Sequence, residues 1–185
     1  VAIIAVYRLG YTWGEIEAGF IETISATMQA ILILAIIGMI IGTWILGGIV
    51  PTLIYYGLQV LSPSFFLIAS MLLCSIVSLA TGSSWTTAGT VGIALMGVAA
   101  GLGVPAPMAA GAIISGAYFG DKLSPLSDTT NLAPAMAGAN LFDHIKHMIY
   151  TTGASYAIAL IAFGIMGSRF AGKELDVAAI NELLN

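Results

Sequence analysis

Between Thr23 and Gly120 the chain carries no Asp, Glu, Lys or Arg at all. A soluble domain has about a quarter of its residues charged, so a run of this length without one cannot cover a water-facing surface. The whole chain of 185 residues agrees, with 8% charged and 59% hydrophobic residues and a mean hydropathy of +1.02. An all-α polytopic membrane protein is expected, because a helix pairs its own backbone polar groups where lipid offers no partner. The 22 glycines suit membrane helices that approach closely through small residues.

Composition also excludes. A net charge of −4 spread over few ionisable groups, without a basic patch, argues against nucleic acid as a partner. Cys74 stands alone in an apolar run, so neither a disulfide framework nor a cysteine metal site is expected. The apolar opening Val1 to Val6 lacks a charged leader and a small-residue cleavage site, so it does not read as a signal peptide, and the chain is expected to be a piece of a longer one.

Residues 1–25 mix Arg8, Glu15, Glu17 and Glu22 with Trp13, Ile16, Phe20 and Ile24, the pattern of an interfacial connection or amphipathic helix. From Ala26 to about Val50 the chain is nearly all apolar and, at 1.5 Å per residue, long enough for a ~30 Å hydrocarbon core. Gly38 and Gly42 share one face of that span and could admit a close neighbour. Gly47-Gly48 and Pro51 interrupt it, and Pro51 to Ser62 is too short to cross, reading as a half-span or tilted continuation. Trp44, Tyr55 and Tyr56 read as interface anchors.

Residues 65–102 read as a re-entrant hairpin. Two apolar arms, Ser64 to Ala80 and Val91 to Leu102, flank a hydroxyl-rich stretch from Thr81 to Thr90. The arms reach only ~25 and ~18 Å as helices, each marginal for a crossing. A non-helical tip at membrane depth requires a polar cavity, to which Ser83, Ser84, Thr86, Thr87 and Thr90 would contribute. The other readings are two ordinary spans joined by a polar loop, with the hydroxyls bonded to nearby backbone.

Residues 107–140 read as a helix broken in its middle by Gly120-Asp121-Lys122-Leu123-Ser124-Pro125-Leu126-Ser127-Asp128-Thr129-Thr130-Asn131-Leu132-Ala133-Pro134. Phe142 to Met148 has the mixed charge of an interface helix, and Thr151 to Met166 suits a final span. Residues 169–185, with Arg169, Lys173, Glu174, Asp176 and Glu182, read as a polar tail or linker.

Ionisable residues inside a membrane helix cost at least ~2.5–3.5 kcal/mol each, which makes the aspartates of this break a functional site by default. Pro125 removes the donor for the carbonyl of Asp121, and Pro134 the donor for that of Thr130. Carboxylate, hydroxyl, amide oxygen and free carbonyl together suit a hard cation such as Na⁺, and discontinuous helices are where transporters hold such ions. Asp128 is the leading carboxylate, with Asn131 beside it as a Na⁺ ligand, and Asp121, Ser124, Ser127, Thr129 and Thr130 complete the candidate ion-binding set. The competing role is an ion pair, with Lys122 or another helix, or a helix-end cap for Asp121, and an N-cap for Asp128. A desolvated carboxylate favours its proton and a nearby cation favours the ionised form, so H⁺ and Na⁺ can compete for one oxygen cage. His144 and His147 share a helical face but lack a third ligand, and read as a solvated pair.

The stretches Thr81–Ala94 and Gly111–Asn131, together with Gly42-Thr-Trp44, Pro51–Gly57 and His144, resemble the NhaC-type Na⁺/H⁺ antiporters from about residue 10 to residue 155. The resemblance implies a secondary transporter of the ion transporter superfamily in the bacterial inner membrane, not an enzyme. It implies an inverted-repeat fold, of which this chain would supply one repeat with its re-entrant hairpin and broken helix. The transported ions would be Na⁺ and H⁺, with no cofactor. The expected partners are the bilayer and the rest of a longer transporter chain, and a homodimer is one assembly it allows. The same family includes Na⁺- and H⁺-coupled malate/lactate antiporters, which would favour a cation facing the cavity, and Lys122 is the candidate for it. A channel is a third reading. A serine hydrolase using Ser83 or Ser84 is disfavoured, because the histidines lie far along the chain and no nucleophile elbow is visible.

Overall fold

The computed structural model describes residues 6–8 and 10–170, leaving aside the side chains of residues 26, 27, 29, 30, 33, 34 and 37. The polar tail expected from residue 171 onward, with Lys173, Glu174, Asp176 and Glu182, lies outside the described residues, as does the opening 1–5. Among the described residues the regular structure is entirely helical. The described residues up to Met39 and those from Ile40 onward form two compact units.

Helix α1, Trp13–Leu46, begins in the first unit and ends in the second. It starts with a capping box: Thr12 N–H donates to Glu15 Oε2 at 2.8 Å, and Glu15 N–H donates back to Thr12 Oγ1 at 3.4 Å. It ends at Gly47-Gly48, where Gly48 takes φ 75°, a left-handed value that glycine adopts without strain. The chain there bends by 73° between Gly38–Leu46 and α2, Ile49–Val60. Pro51 sits within the first turn of α2, where its missing N–H costs nothing.

In the second unit, α2 buries Val50, Ile54 and Leu58, spaced four apart on one stripe. That stripe packs against α5, Ile93–Gly101, where Gly57 and Gly97 make room for Val98 and Ile54. Helix α3, Phe66–Thr81, and helix α6, Ala106–Leu123, make the most extensive helix pair. Its seam is set by Gly116 and Gly120 of α6, which lie directly against the Met71 and Ser75 carbonyls of α3. Two glycines at i and i+4 bring the backbones close enough for side-chain-to-backbone bonds across the seam. Ser78 Oγ donates to the Ala117 carbonyl at 2.6 Å.

Gly38 and Gly42 have the same spacing, and a Cβ at either position would meet nothing within 4 Å among the described residues. The small-residue spacing marks a possible seam, and here the seam forms where alanines and serines also flank it.

Between α3 and α5 the chain breaks only at Gly82-Ser83 before helix resumes as α4, Ser84–Thr87, and passes through a π-turn, Ala88–Gly92, into α5. The hydroxyl-rich stretch is therefore mostly helical rather than an extended tip, because Ser83 caps α4 by accepting from Thr86 N–H at 3.2 Å. Helix α7, Asp128–Ala137, follows a four-residue break after α6 and runs through Pro134. It closes at Gly138, with Ala139 N–H donating to the Pro134 carbonyl at 2.9 Å, a Schellman ending. Helix α8, Leu141–Ser168, is capped by Asn140 and packs on α3, α6 and α7.

Phe66, Leu67, Met71, Cys74, Val98 and Ala112 form the centre of the core. Outward, Leu72, Ile76, Ile158, Ile161 and Ile165 stand exposed, a surface suited to lipid or to further protein. Among the described residues α8 is long and apolar enough to cross a membrane, as is the bent pair Gly38–Leu46 and Ile49–Val60 taken together.

Candidate functional site

Asp121 lies in the last turn of α6, where the glycine seam draws α6 onto α3. Its Oδ2 accepts a hydrogen bond from Ser84 Oγ at 2.8 Å. Its Oδ1 is buried and has no hydrogen-bond partner among the described residues. Such an orphaned acceptor costs about 1–3 kcal/mol, and more when charged. Ser84 is itself buried and is aimed by the Ser83 cap at the start of α4.

The breaks of the two helical segments meet. A Cβ added to Gly82 would lie 2.6 Å from the Leu126 carbonyl carbon, so the turn after α3 sits on the turn after α6. The positive φ of Gly82, 70°, is a second reason for glycine there. Ser124, fully buried, donates its hydroxyl to the Leu79 carbonyl at 2.8 Å and ties the same two breaks together.

The carbonyl that Pro125 was expected to leave open is filled. Asp121 O accepts from Ser124 N–H at 3.1 Å and from Thr130 Oγ1 at 3.2 Å, and the Thr130 hydroxyl also faces Lys122 O at 3.1 Å. Asn131 spends both amide protons within the break, on Pro125 O and Ser127 O, each at 2.7 Å. Ser127 is buried and pairs its hydroxyl with Thr129 at 3.0 Å. Asp128 is exposed at the start of α7 and accepts from the Thr129 N–H at 2.7 Å. The two aspartates thus differ in kind: one stands exposed in the first turn of α7, the other is drawn between helices.

Of the hydroxyl-rich stretch, Ser84 reaches across to the acid. Thr87 donates to the Ser83 carbonyl at 3.0 Å and Thr90 to the Thr86 carbonyl at 2.7 Å, while Thr86 bonds Ser83 Oγ at 3.0 Å. These are bonds within their own segment, as hydroxyls in helices commonly make. His144 is half-buried and His147 exposed near the start of α8. Among the described residues no three of His, Cys, Asp and Glu gather as a metal site.

Sequence reasoning missed the role of α8. Tyr156 OH bonds Ser75 Oγ at 2.6 Å, and its ring stacks on Phe119 with centroids 3.7 Å apart. Beside them a cavity of about 410 Å³ is lined by Ser115, Tyr118, Lys122, Thr152 and Ser155, among others. Its signal was present as helical spacing: Ser115, Tyr118 and Lys122 recur on one face of α6, and Thr151, Thr152 and Ser155 on one face of α8. A second cavity of about 260 Å³ is lined by Ser84, Trp85, Ile114 and Tyr118, so Tyr118 borders both.

Residues 116–184 match the model of the Na⁺/H⁺ antiporter family. The chain is 47% identical over 183 residues to the malate-2H⁺/Na⁺-lactate antiporter of Bacillus subtilis, covering 99% of this chain and 39% of that protein. It is 48% identical over 169 residues to the Na⁺/H⁺ antiporter NhaC of Alkalihalophilus pseudofirmus, 91% of this chain and 37% of that one. It is 47% identical over 165 residues to the arginine/ornithine antiporter ArcD of Halobacterium salinarum, 89% and 34% respectively. No solved structure matches the chain. The chain therefore spans well under half the length of these curated relatives, and residues 116–184 carry the sequence pattern of the Na⁺/H⁺ antiporter family.

Proposed function

We propose that the protein is a secondary transporter of the cell membrane that exchanges Na⁺ for H⁺, the two ions competing for the carboxylate of Asp121. The observation that carries this reading is the buried Oδ1 of Asp121, without a partner among the described residues, beside an Oδ2 held by Ser84. A proton or a hard cation on that oxygen relieves the same desolvation penalty, and both cannot occupy it at once. Competition for one site, combined with movement between sides only when the site is filled, is sufficient for exchange. Oxygen is the ligand type Na⁺ takes, and the carboxylate of Asp121 supplies it. Asp128 and Asn131, exposed or committed within their own turn, hold the break in shape in this reading.

A second reading, Na⁺- and H⁺-coupled malate/lactate exchange, is favoured by the place of Lys122 on a cavity wall and by the name of one relative. Both are tested by reconstituting the full-length protein in vesicles and recording luminal pH on addition of Na⁺, Li⁺, K⁺, malate or lactate. A Na⁺-driven signal lost in Asp121→Asn and retained in Asp128→Asn is expected. A signal unchanged in Asp121→Asn overturns the site, one that requires malate or lactate moves the function to the second reading, and ion conduction without a counter-ion replaces exchange with a channel.

A further inference from the structure

A slot of about 260 Å³ lies between α4 with its π-turn and α6, and it ends at the hydrogen-bond partner of the acid. One wall is Ser84, Trp85 and Ala88, and the other is Ile114, Ala117 and Tyr118. Positions 114, 117, 118 and 121 of α6 follow one another at helical spacing, so Asp121 is the next residue along the same wall. At 1.5 Å per residue that wall is about 10 Å long from Ile114 to Asp121. Ser84 closes the inner end, its hydroxyl on Asp121 Oδ2. Trp85, Ile114 and Tyr118 are exposed, so the slot reaches the surface beside them.

Size and charge limit what the slot carries. Its volume falls below the ~300–1,000 Å³ of small-molecule sites, yet it is several times the ~30 Å³ that a water takes in the liquid. A small cation with part of its water shell fits. Among the described residues the walls carry no ammonium or guanidinium, and the ring faces of Trp and Tyr attract a cation. The larger cavity between α6 and α8 differs in this respect, because the Lys122 ammonium on its wall repels a cation. Tyr118 borders both spaces and so stands between the neutral slot and the charged cavity.

From this juxtaposition we infer that the slot between α4 and α6 is the path by which a cation reaches Asp121, and that Tyr118 is the partition that screens this path from Lys122. With the ring in place, an entering cation meets apolar and aromatic walls and then the carboxylate. Without it, the slot and the α6–α8 cavity merge, and the cation approaches Asp121 in view of the ammonium one residue further along the chain. Tyr118 is thus a positioning residue that acts through the electrostatics of the path. The destination of the path rests on the reading of Asp121 as the cation site.

The test separates the path from its destination. In cysteine-free full-length protein, with Cys74 replaced by alanine, Ile114→Cys is compared with Ile158→Cys on the exposed face of α8. The probe is trimethylammonium-ethyl methanethiosulfonate, a cationic thiol reagent. Ile114→Cys is expected to react at least tenfold faster than Ile158→Cys and to lose the Na⁺-driven pH signal of vesicles once modified, with Na⁺ slowing the reaction several-fold. Rates within twofold of each other, or a modified protein that still gives the full signal, overturn the path. Fast labelling that abolishes the signal without Na⁺ protection, or with the same protection in Asp121→Asn, keeps the path and overturns Asp121 as its end. For the partition, Tyr118→Ala should raise the Na⁺ concentration for half-maximal response about tenfold, and Tyr118→Phe, which keeps the ring, at least threefold less than that. Lys122→Gln should lower that concentration at least threefold more in Tyr118→Ala than beside an intact Tyr118, a coupling that a purely structural loss does not produce. A Tyr118→Ala defect that Lys122→Gln leaves untouched overturns the partition. Ile114 and Tyr118 are exposed side chains, so these variants leave the core filled.

Discussion

Gly120→Ala tests the physical basis of the site more sharply than any change to the acids. A Cβ at this position would collide with the Ser75 carbonyl and would lie 2.7 Å from Leu79 N and 2.8 Å from Ser78 Cβ. Two of the three atoms are backbone, so no rotamer change relieves the overlap. To restore ordinary contact near 3.5 Å, α3 and α6 must part by about 1 Å at this turn. Bonds of 2.8 Å from Ser84 to Asp121 and from Ser124 to Leu79 then stretch past hydrogen-bonding range. Loss of two such bonds costs about 2 kcal/mol, overpacking about 1–3 kcal/mol, and the better helix propensity of Ala returns about 1 kcal/mol. The expected net loss is about 2–4 kcal/mol.

The control is Gly111→Ala, whose new Cβ would meet only Phe163 at 3.4 Å and should be neutral or slightly stabilising. Thermal unfolding of detergent-solubilised full-length protein, followed by size-exclusion chromatography, reads the difference. Na⁺-dependent pH signals in vesicles read the site. If Gly120→Ala melts with Gly111→Ala and keeps the wild-type Na⁺ response, the seam does not position Asp121 and the reasoning fails.

Ser84→Ala removes the donor to Asp121 and should raise the Na⁺ concentration for half-maximal pH response several-fold with little change in melting, checked by Na⁺ titration of vesicles. Tyr156→Phe keeps the ring stack on Phe119 but loses the 2.6 Å bond to Ser75, for an expected loss of about 1 kcal/mol in thermal unfolding; a double-mutant cycle with Ser75→Ala should show the two effects coupled. Asp128→Asn keeps an acceptor for Thr129 N–H and should be near neutral in stability, whereas Asp128→Ala loses that bond and a first-turn acid and should cost about 0.5 kcal/mol, both measured by melting.

The all-helical membrane character was legible from the uncharged run alone, since backbone pairing in lipid leaves few other solutions. Chain breaks were legible too, because Gly47-Gly48, Gly82 and Pro125 speak through backbone chemistry that is local. What depends on helix crossing was not. Gly38/Gly42 and Gly116/Gly120 carry identical spacing, and only the facing surface of α3, with Ser75 and Ser78, distinguishes the pair that forms a seam. For the same reason composition ranked Asp128 before Asp121: both stand in one polar stretch, and burial of one is decided by a neighbour distant in sequence, Ser84. The cavity wall on α8 was hidden because its threonines and serines read singly as tolerable interruptions of a span.

A proline break in a membrane helix is usually taken to release carbonyls for ions, yet here the released groups are consumed nearby. Asp121 O is taken by Ser124 N–H and Thr130 Oγ1, Ser127 O and Pro125 O by Asn131, and Leu79 O by Ser124. The hydroxyls and the amide of the acidic stretch therefore act first as internal partners for the break, which is what lets a non-helical segment persist where lipid supplies no donor. Beside these internal bonds, Asp121 keeps one buried side-chain oxygen, Oδ1, without a hydrogen-bond partner among the described residues. The richness of the stretch and the sparseness of its open ligands have one cause, and the same saturation that makes the break stable singles out the oxygen on which a proton and a cation would compete.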